Sequence, residues 1–241
     1  MIATSTEPRL RRFTREEYYR LKEAGFFEPH TVELIGGEIW RRHPPPGVPI
    51  CRRWTREEYH HMAELGLFEG QRVELIGGEI FVMSPQNFRH GRGGERIARI
   101  LERAFGEKFW VRTQQPLYLG LDSDPEPDVY VVDGDSEDFT DHPTSAVLVV
   151  EVSDSTLETD VSRKASLYAC AGIKDYWVVN LRRDQLEVRR KPVADAAQPF
   201  GFRYLEETFF SLEDHVSPLA KRDAKISVKR LLPPHFDKKK D

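Results

Sequence analysis

Apolar positions recur along the chain in two different rhythms. Runs at 109–113, 129–132, 146–152, 176–180 and 185–189 are short, rich in β-branched and aromatic residues, and bounded by turn residues, which predicts strands. The stretch 89–105 instead repeats at helical spacing, with Ile97, Ile100, Leu101 and Ala104 on one face. A second helix is predicted over 157–171, stopped by Gly172. A polar loop after Pro192 leads into a strand at 202–205, and 226–232 closes with a short helix. Strands outnumber helices, and the helices are interspersed among them rather than strictly alternating. The expected fold class is therefore α/β of the mixed α+β kind, a mixed β-sheet flanked by helices.

The N-terminal part is duplicated. Residues 12–39 and 53–80 align without a gap at an offset of 41. Each copy carries Thr-Arg-Glu-Glu-Tyr, and later Val-Glu-Leu-Ile-Gly-Gly-Glu-Ile. Thr14 and Thr55 read as N-caps, with Glu17 and Glu58 three residues on as capping-box partners. Each short helix ends near Gly25 or Gly66, and a hairpin follows through Gly36-Gly37 or Gly77-Gly78. Two copies are too few for a solenoid. The stiff linker from His43 to Gly47 marks a boundary. Residues 1–47 are thus expected to form a duplicated segment with its linker, 48–233 the main domain, and 234–241 a basic tail. Only the second copy runs straight into the main domain, so the first is expected to pack alongside or serve in pairing.

Composition narrows the class without deciding it. The 241 residues are 39% hydrophobic and 32% charged, enough to bury a full core. No apolar run is long enough to span a bilayer and no secretory signal pattern opens the chain, so a cytoplasmic protein without membrane contact is expected. Cys51 and Cys170 lack zinc-type spacing. A net charge of −4 gives no support for nucleic-acid binding. The exception is local: eight Lys or Arg stand against three Asp between Lys221 and Asp241, a pattern equally typical of a solvated tail.

Candidate chemistry gathers at the strand ends. The apolar run 146–150 leads directly into Glu151, and Pro125-Glu126-Pro127-Asp128 delivers a second carboxylate at the start of another strand. A carboxylate extending a core strand calls for positive charge. Asp160, Lys164 and Tyr168 fall at i, i+4 and i+8, one face of the helix that follows Glu151. The bland alternative is a surface ion pair between Asp160 and Lys164, worth about 0.3–0.5 kcal/mol. Two acids with a lysine instead suit a hard divalent cation, Mg²⁺ or Mn²⁺, and phosphodiester chemistry.

The ordered motifs over 53–232 resemble the Uma2 family, within the PD-(D/E)xK restriction-endonuclease-like superfamily. They are Val73-Glu74-Leu75-Ile76-Gly77-Gly78-Glu79, Met83-Ser84-Pro85 with His90-Gly91, and Pro125-Glu126-Pro127-Asp128. Val149-Val150-Glu151-Val152-Ser153, Lys164 with Tyr168, and Ala171-Gly172-Ile173 before Tyr176-Trp177-Val178-Val179 continue the series. The resemblance implies a restriction-endonuclease-like core and metal-dependent DNA cleavage. It implies Asp128 and Glu151 as metal ligands, Glu74 completing the site, and a homodimer, since cutting both strands takes two centres. In the superfamily pattern the lysine stands two residues after the second acid, where this chain has Ser153. Lys164 would supply the amine from the next helix, with Tyr168 supporting it.

Weaker candidates have equally ordinary readings. Gln114 could aim an amide at the site or simply end a strand. His90 could touch phosphate or be a surface histidine at a helix start. Arg92, Arg96, Arg99 and Arg103 could neutralise DNA phosphates, but Glu95 and Glu102 interleave with them as on a solvated face. The expected function is a metal-dependent endodeoxyribonuclease using metal-activated water, with no organic cofactor. The rivals are a catalytically inactive module of the same fold that binds nucleic acid or a protein, and a hydrolase of small phosphoesters.

Overall fold

The structure is a computed structural model that describes residues 7–46, 50–85, 87–154 and 157–234. Gly47 of the linker and all of the basic tail beyond Pro234 lie outside the described residues. Two compact units result: Met1–Pro85 with Leu119–Pro125, and Gln86–Tyr118 with Glu126–Asp241. Both copies of the repeat belong to the first unit. Among the described residues, no helix is long and apolar enough to cross a membrane.

In the first unit, a short strand β1 (Arg9–Leu10) precedes helix α1 (Arg15–Glu23) and the hairpin β2 (Val32–Ile35) and β3 (Glu38–Arg41). Helix α2 (Arg56–Glu64) and the hairpin β4 (Val73–Ile76) and β5 (Glu79–Val82) repeat the pattern. The predicted capping boxes form in both copies. Glu17 and Glu58 N–H each donate to the threonine hydroxyl at 3.2 Å, while the Thr14 and Thr55 N–H groups donate back to the glutamates at 2.7 and 2.9 Å. Both central residues of each hairpin turn take positive φ, which paired glycines allow without steric cost. The two hairpins differ in cover. β4 is buried throughout, its edge taken by the Leu119–Pro125 segment through Asp124 N–H to Leu75 O at 2.7 Å; β2 stays half-buried and leaves Ile35 51% exposed.

The second unit starts with α3 (Phe88–Phe105) and then β6 (Phe109–Arg112), β7 (Val129–Asp133) and β8 (Leu148–Ser153). The helical passage that follows is α4 (Leu157–Thr159), a π-helical turn (Asp160–Lys164) and α5 (Ala165–Cys170). Strands β9 (Asp175–Asn180), β10 (Gln185–Ala194) and β11 (Phe202–Phe210) come next, then β12 (His215–Val216), β13 (Ile226–Ser227) and α6 (Val228–Leu231). Six strands form one sheet in the order β11-β10-β9-β8-β7-β6. Only β8 and β9 pair in parallel, so the sheet is mixed, as its sequence pattern predicts.

Side-chain alternation divides that sheet into two faces. Leu148, Val150 and Val152 of β8 join Ile97, Leu101 and Phe105 of α3 in one apolar core. Glu151 and Ser153 point the other way, toward the passage that carries Lys164 and Tyr168. Strands β10 and β11 outrun their predicted ends at 189 and 205. Charged residues in the added parts imitate a loop, yet charges pair across the two strands, the buried Arg189 with Glu207 and the exposed Lys191 with Glu206. The last strand, β11, forms one edge of the sheet.

Two glycines test how local geometry limits substitution. Gly78 holds φ at +72°, and a Cβ there would meet Arg53 Cβ at 2.7 Å; at Gly91, in the first turns of α3, nothing lies within 4 Å. Gly78→Ala is expected to lower unfolding free energy by more than about 1 kcal/mol. Gly91→Ala is expected to raise it by up to about 1 kcal/mol through helix propensity. Urea titration followed by circular dichroism checks both.

Candidate active site

Strand register sets the two acids side by side. Val129 of β7 opposes Val150 of β8 in an antiparallel pair, so the next position places Asp128 beside Glu151. Asp128 N–H donates to Glu151 Oε2 at 3.3 Å, and Val152 N–H donates to Asp128 Oδ2 at 2.8 Å. Both side chains are buried, at 4% and 3% exposure.

Positive charge reaches them from separate elements. Asn87 caps α3 by accepting from His90 N–H at 2.9 Å, and the first turn then brings His90 Nε2 to 2.9 Å from Asp128 Oδ1. Close approach of α3 needs Gly93, where a Cβ would stand 3.1 Å from Val152 Cγ1. On the other face, Lys164 Nζ lies 3.0 Å from Glu151 Oε1, and the Tyr168 hydroxyl donates to the same oxygen at 2.8 Å. Lys164 closes the π-helical turn, whose widened backbone is an arrangement found mostly at functional positions. The Tyr176 hydroxyl donates to Asp160 O at 2.9 Å, and the Tyr168 and Tyr176 rings pack 5.0 Å apart.

Electrostatics separate the two acids. Burial raises Glu151; Lys164 opposes the rise, the Asp128 and Asp160 carboxylates add to it, and the pKa stands at about 7. Burial would raise Asp128 as well, but the hydrogen bond and charge of His90, with the Val152 N–H and Lys164, outweigh it and leave the pKa lowered. His90 is raised in turn, its burial overcome by Asp128.

The donor set suits a hard cation that keeps most of its water. Among the described residues no group of three or more His, Cys, Asp or Glu is placed to hold a metal ion by itself. Mg²⁺ commonly takes only one or two protein carboxylates and fills its shell with water. Glu151 Oε2 receives one long bond, and burial, with the Asp128 and Asp160 carboxylates adding to it, lifts Glu151 to about 7 against the opposing Lys164 charge. Asp128 and Glu151 are the residues that would hold such an ion.

The other predicted residues have the following surroundings. Ser153, in the usual lysine slot, is fully buried, and its hydroxyl has no hydrogen-bond partner among the described residues. Gln114 is exposed, in a left-handed conformation, with its N–H on Pro127 O at 3.0 Å. Glu74 belongs to the first unit, fully buried on β4, with Arg72 Nη2 3.7 Å from Oε1. Arg92, Arg96 and Arg99 line an open groove with Arg103 and Arg230. Helical spacing turns that groove away from the face that carries His90. His90 is no surface histidine: its side chain is largely buried against Asp128, and its spacing from the buried positions Gly94, Ile97 and Leu101 is the available signal. Asp160 and Lys164, weighed as a surface pair, are both 3% exposed.

The mixed sheet carries a buried acid pair and a lysine, and comparison with known proteins bears on its fold. The chain is similar to a solved structure of a "putative nuclease belonging to DUF820" from Anabaena variabilis, with a TM-score of 0.57 at 15% identity over 74% of this chain and 97% of that one. The model of the Uma2 family, described as "Putative restriction endonuclease", matches residues 56–221. The chain belongs to the Uma2 family. No curated protein matches it significantly.

Glu151 makes stability depend on pH. With a folded pKa of about 7 against 4.5 for the free group, the folded chain holds a proton that the unfolded chain releases between those values. This contribution to stability therefore falls as pH rises from about 4.5 to about 7 in metal-free protein. Glu151→Gln is expected to flatten that decline, measured as urea midpoints at pH 5, 6 and 7.

Proposed function

We propose that the chain is a Mg²⁺- or Mn²⁺-dependent endodeoxyribonuclease. The observation that carries this reading is the 3.0 Å contact between Lys164 Nζ and Glu151 Oε1 inside a buried acid pair. An amine from the following helix thereby reaches the acid that a strand lysine would serve in the superfamily pattern. Asp128 and Glu151 would hold the divalent cation, which would supply Lewis-acid polarisation and a water of lowered pKa.

The chain's own groups do the positioning. His90 and the Val152 N–H fix Asp128, one on each oxygen. Tyr168 and Lys164 fix Glu151 through Oε1, leaving Oε2 the less encumbered oxygen. The Lys164 ammonium is a compact point charge for negative charge developing on phosphate. In this reading the arginines of the α3 groove bind DNA phosphates at a distance from the reacting one.

Supercoiled plasmid incubated with Mg²⁺, Mn²⁺ or EDTA tests the chemistry. Nicking with either metal and none with EDTA is expected. Lys164→Met should slow nicking by about 10²–10³-fold, the usual cost of removing one charge-stabilising donor. Binding without cleavage in every metal would favour the non-catalytic module; turnover of nucleotides but not DNA would favour a small-phosphoester hydrolase.

The groove is tested separately, by duplex binding against salt. Arg96→Gln and Arg99→Gln should each reduce the slope of log K on log salt by about 0.9, the share of one neutralised phosphate. An unchanged slope removes these arginines from the DNA interface.

A further inference from the structure

The two copies in the first unit meet each other reciprocally. Arg11 N–H donates to Ile80 O at 2.7 Å, and its counterpart 41 residues on, Arg52, donates to Ile39 O at 2.8 Å. Ile39 and Ile80 are themselves counterparts, so the segment before each helix pairs with the other copy's hairpin. The strand pairings exchange in the same way: Leu10 opposes Phe81 and Cys51 opposes Trp40, both antiparallel. Side chains follow the rule. Arg11 Nη2 donates to Leu67 O at 2.6 Å and Arg52 Nη2 to Phe26 O at 2.6 Å, each guanidinium also bonding the capping glutamate of its own copy.

Phe13 and Trp54, again counterparts, face each other with ring centroids 5.6 Å apart. When residue i touches j and the equivalent of j touches the equivalent of i, the contact is isologous, the signature of a twofold homodimer. A residue that meets its own equivalent lies on the axis. The first unit is thus built as a dimer of one module with both halves on a single chain. Only the second half overlaps the family match, which begins at Arg56, after Arg52 and Trp54.

We propose that the helix–hairpin module is a self-pairing element, and that the first copy occupies in cis the face on which the second would otherwise seat the same module of another chain. The chain is therefore closed to self-association through this face. Any dimer that serves cleavage of both strands must use another surface. Pairing of two second copies is sterically reasonable: Trp54 adds bulk over Phe13 at the axis, while Leu67 removes it relative to Phe26, which sits 6.3 Å from Trp54. Compensating changes of that sort conserve core volume.

The test reads mass by sedimentation in the full chain, so its outcome does not depend on nuclease activity. Phe13→Glu places a charge on the axis and should release the first copy, doubling the mass relative to the wild-type chain at equal concentration. Adding Arg52→Ala should restore the wild-type mass, because specific pairing needs that guanidinium on the partner's carbonyl. A Phe13→Glu chain with the wild-type mass and circular dichroism spectrum overturns the proposal. So does a doubled mass that survives Arg52→Ala, which would mean indiscriminate sticking. Should Phe13→Glu fail to fold, Arg11→Ala keeps the main-chain pairing while removing the guanidinium that bridges the copies and packs on Phe13 and Phe68, and is read in the same way. A concentration-dependent rise in mass is then expected, and its absence counts against the proposal.

Discussion

Glu151 stands at 3% exposure inside a six-stranded sheet, where an isolated carboxylate would give up its charge. Its neighbours are arranged around that difficulty. Lys164 and Tyr168 meet one oxygen and the Asp128 amide meets the other, while Asp128 takes its own support from His90. Removing one partner of a buried pair generally costs more than the pair contributes, about 3–5 kcal/mol. The geometry is therefore tightly specified: α3 must lie close enough for His90, and the helical passage after β8 must widen at 160–164 to deliver Lys164. A compact fold alone would require neither.

Much of this was legible in the residues. The buried strands read correctly because both faces of β8 and β9 are covered, which makes them continuously apolar. The repeat, its caps and its hairpin turns were visible because capping boxes and paired glycines are local signals. Strands β10 and β11 run past the ends their sequence predicts, since charged residues read as loop until a cross-strand partner is known. The π-helical turn left no trace, as its cause is tertiary: Asp160 is held by Tyr176 and Lys164 by Glu151, from other elements. His90 was seen as a residue but not as a partner of Asp128, which lies 38 positions away. The arginine stripe and its separation from the apolar face follow from helical spacing, and the burial of that apolar face gives the stripe its direction.

The duplicated segment illustrates a related limit. Sequence comparison within the chain establishes that two copies exist, while their mode of contact depends on which backbone groups each leaves unpaired. Copies that exchange their leading strands share one apolar core, comprising Phe13, Leu21 and Phe26 with Trp54, Met62 and Leu75. Neither half would bury those residues by itself. The same duplication leaves the two hairpins in different surroundings, with β4 fully covered and β2 half open.

Strand β11 carries Glu206 and Glu207 in succession at the rim of the sheet, each tied inward to a cation of β10. An unpaired rim is a template on which another chain's strand can add. Here an identical rim approaching antiparallel would bring these acids against their own kind, and like charges directly opposite are repulsive. Charge placement on this rim thus works as a gatekeeper, disfavouring the registers in which two such rims would set these acids opposite one another.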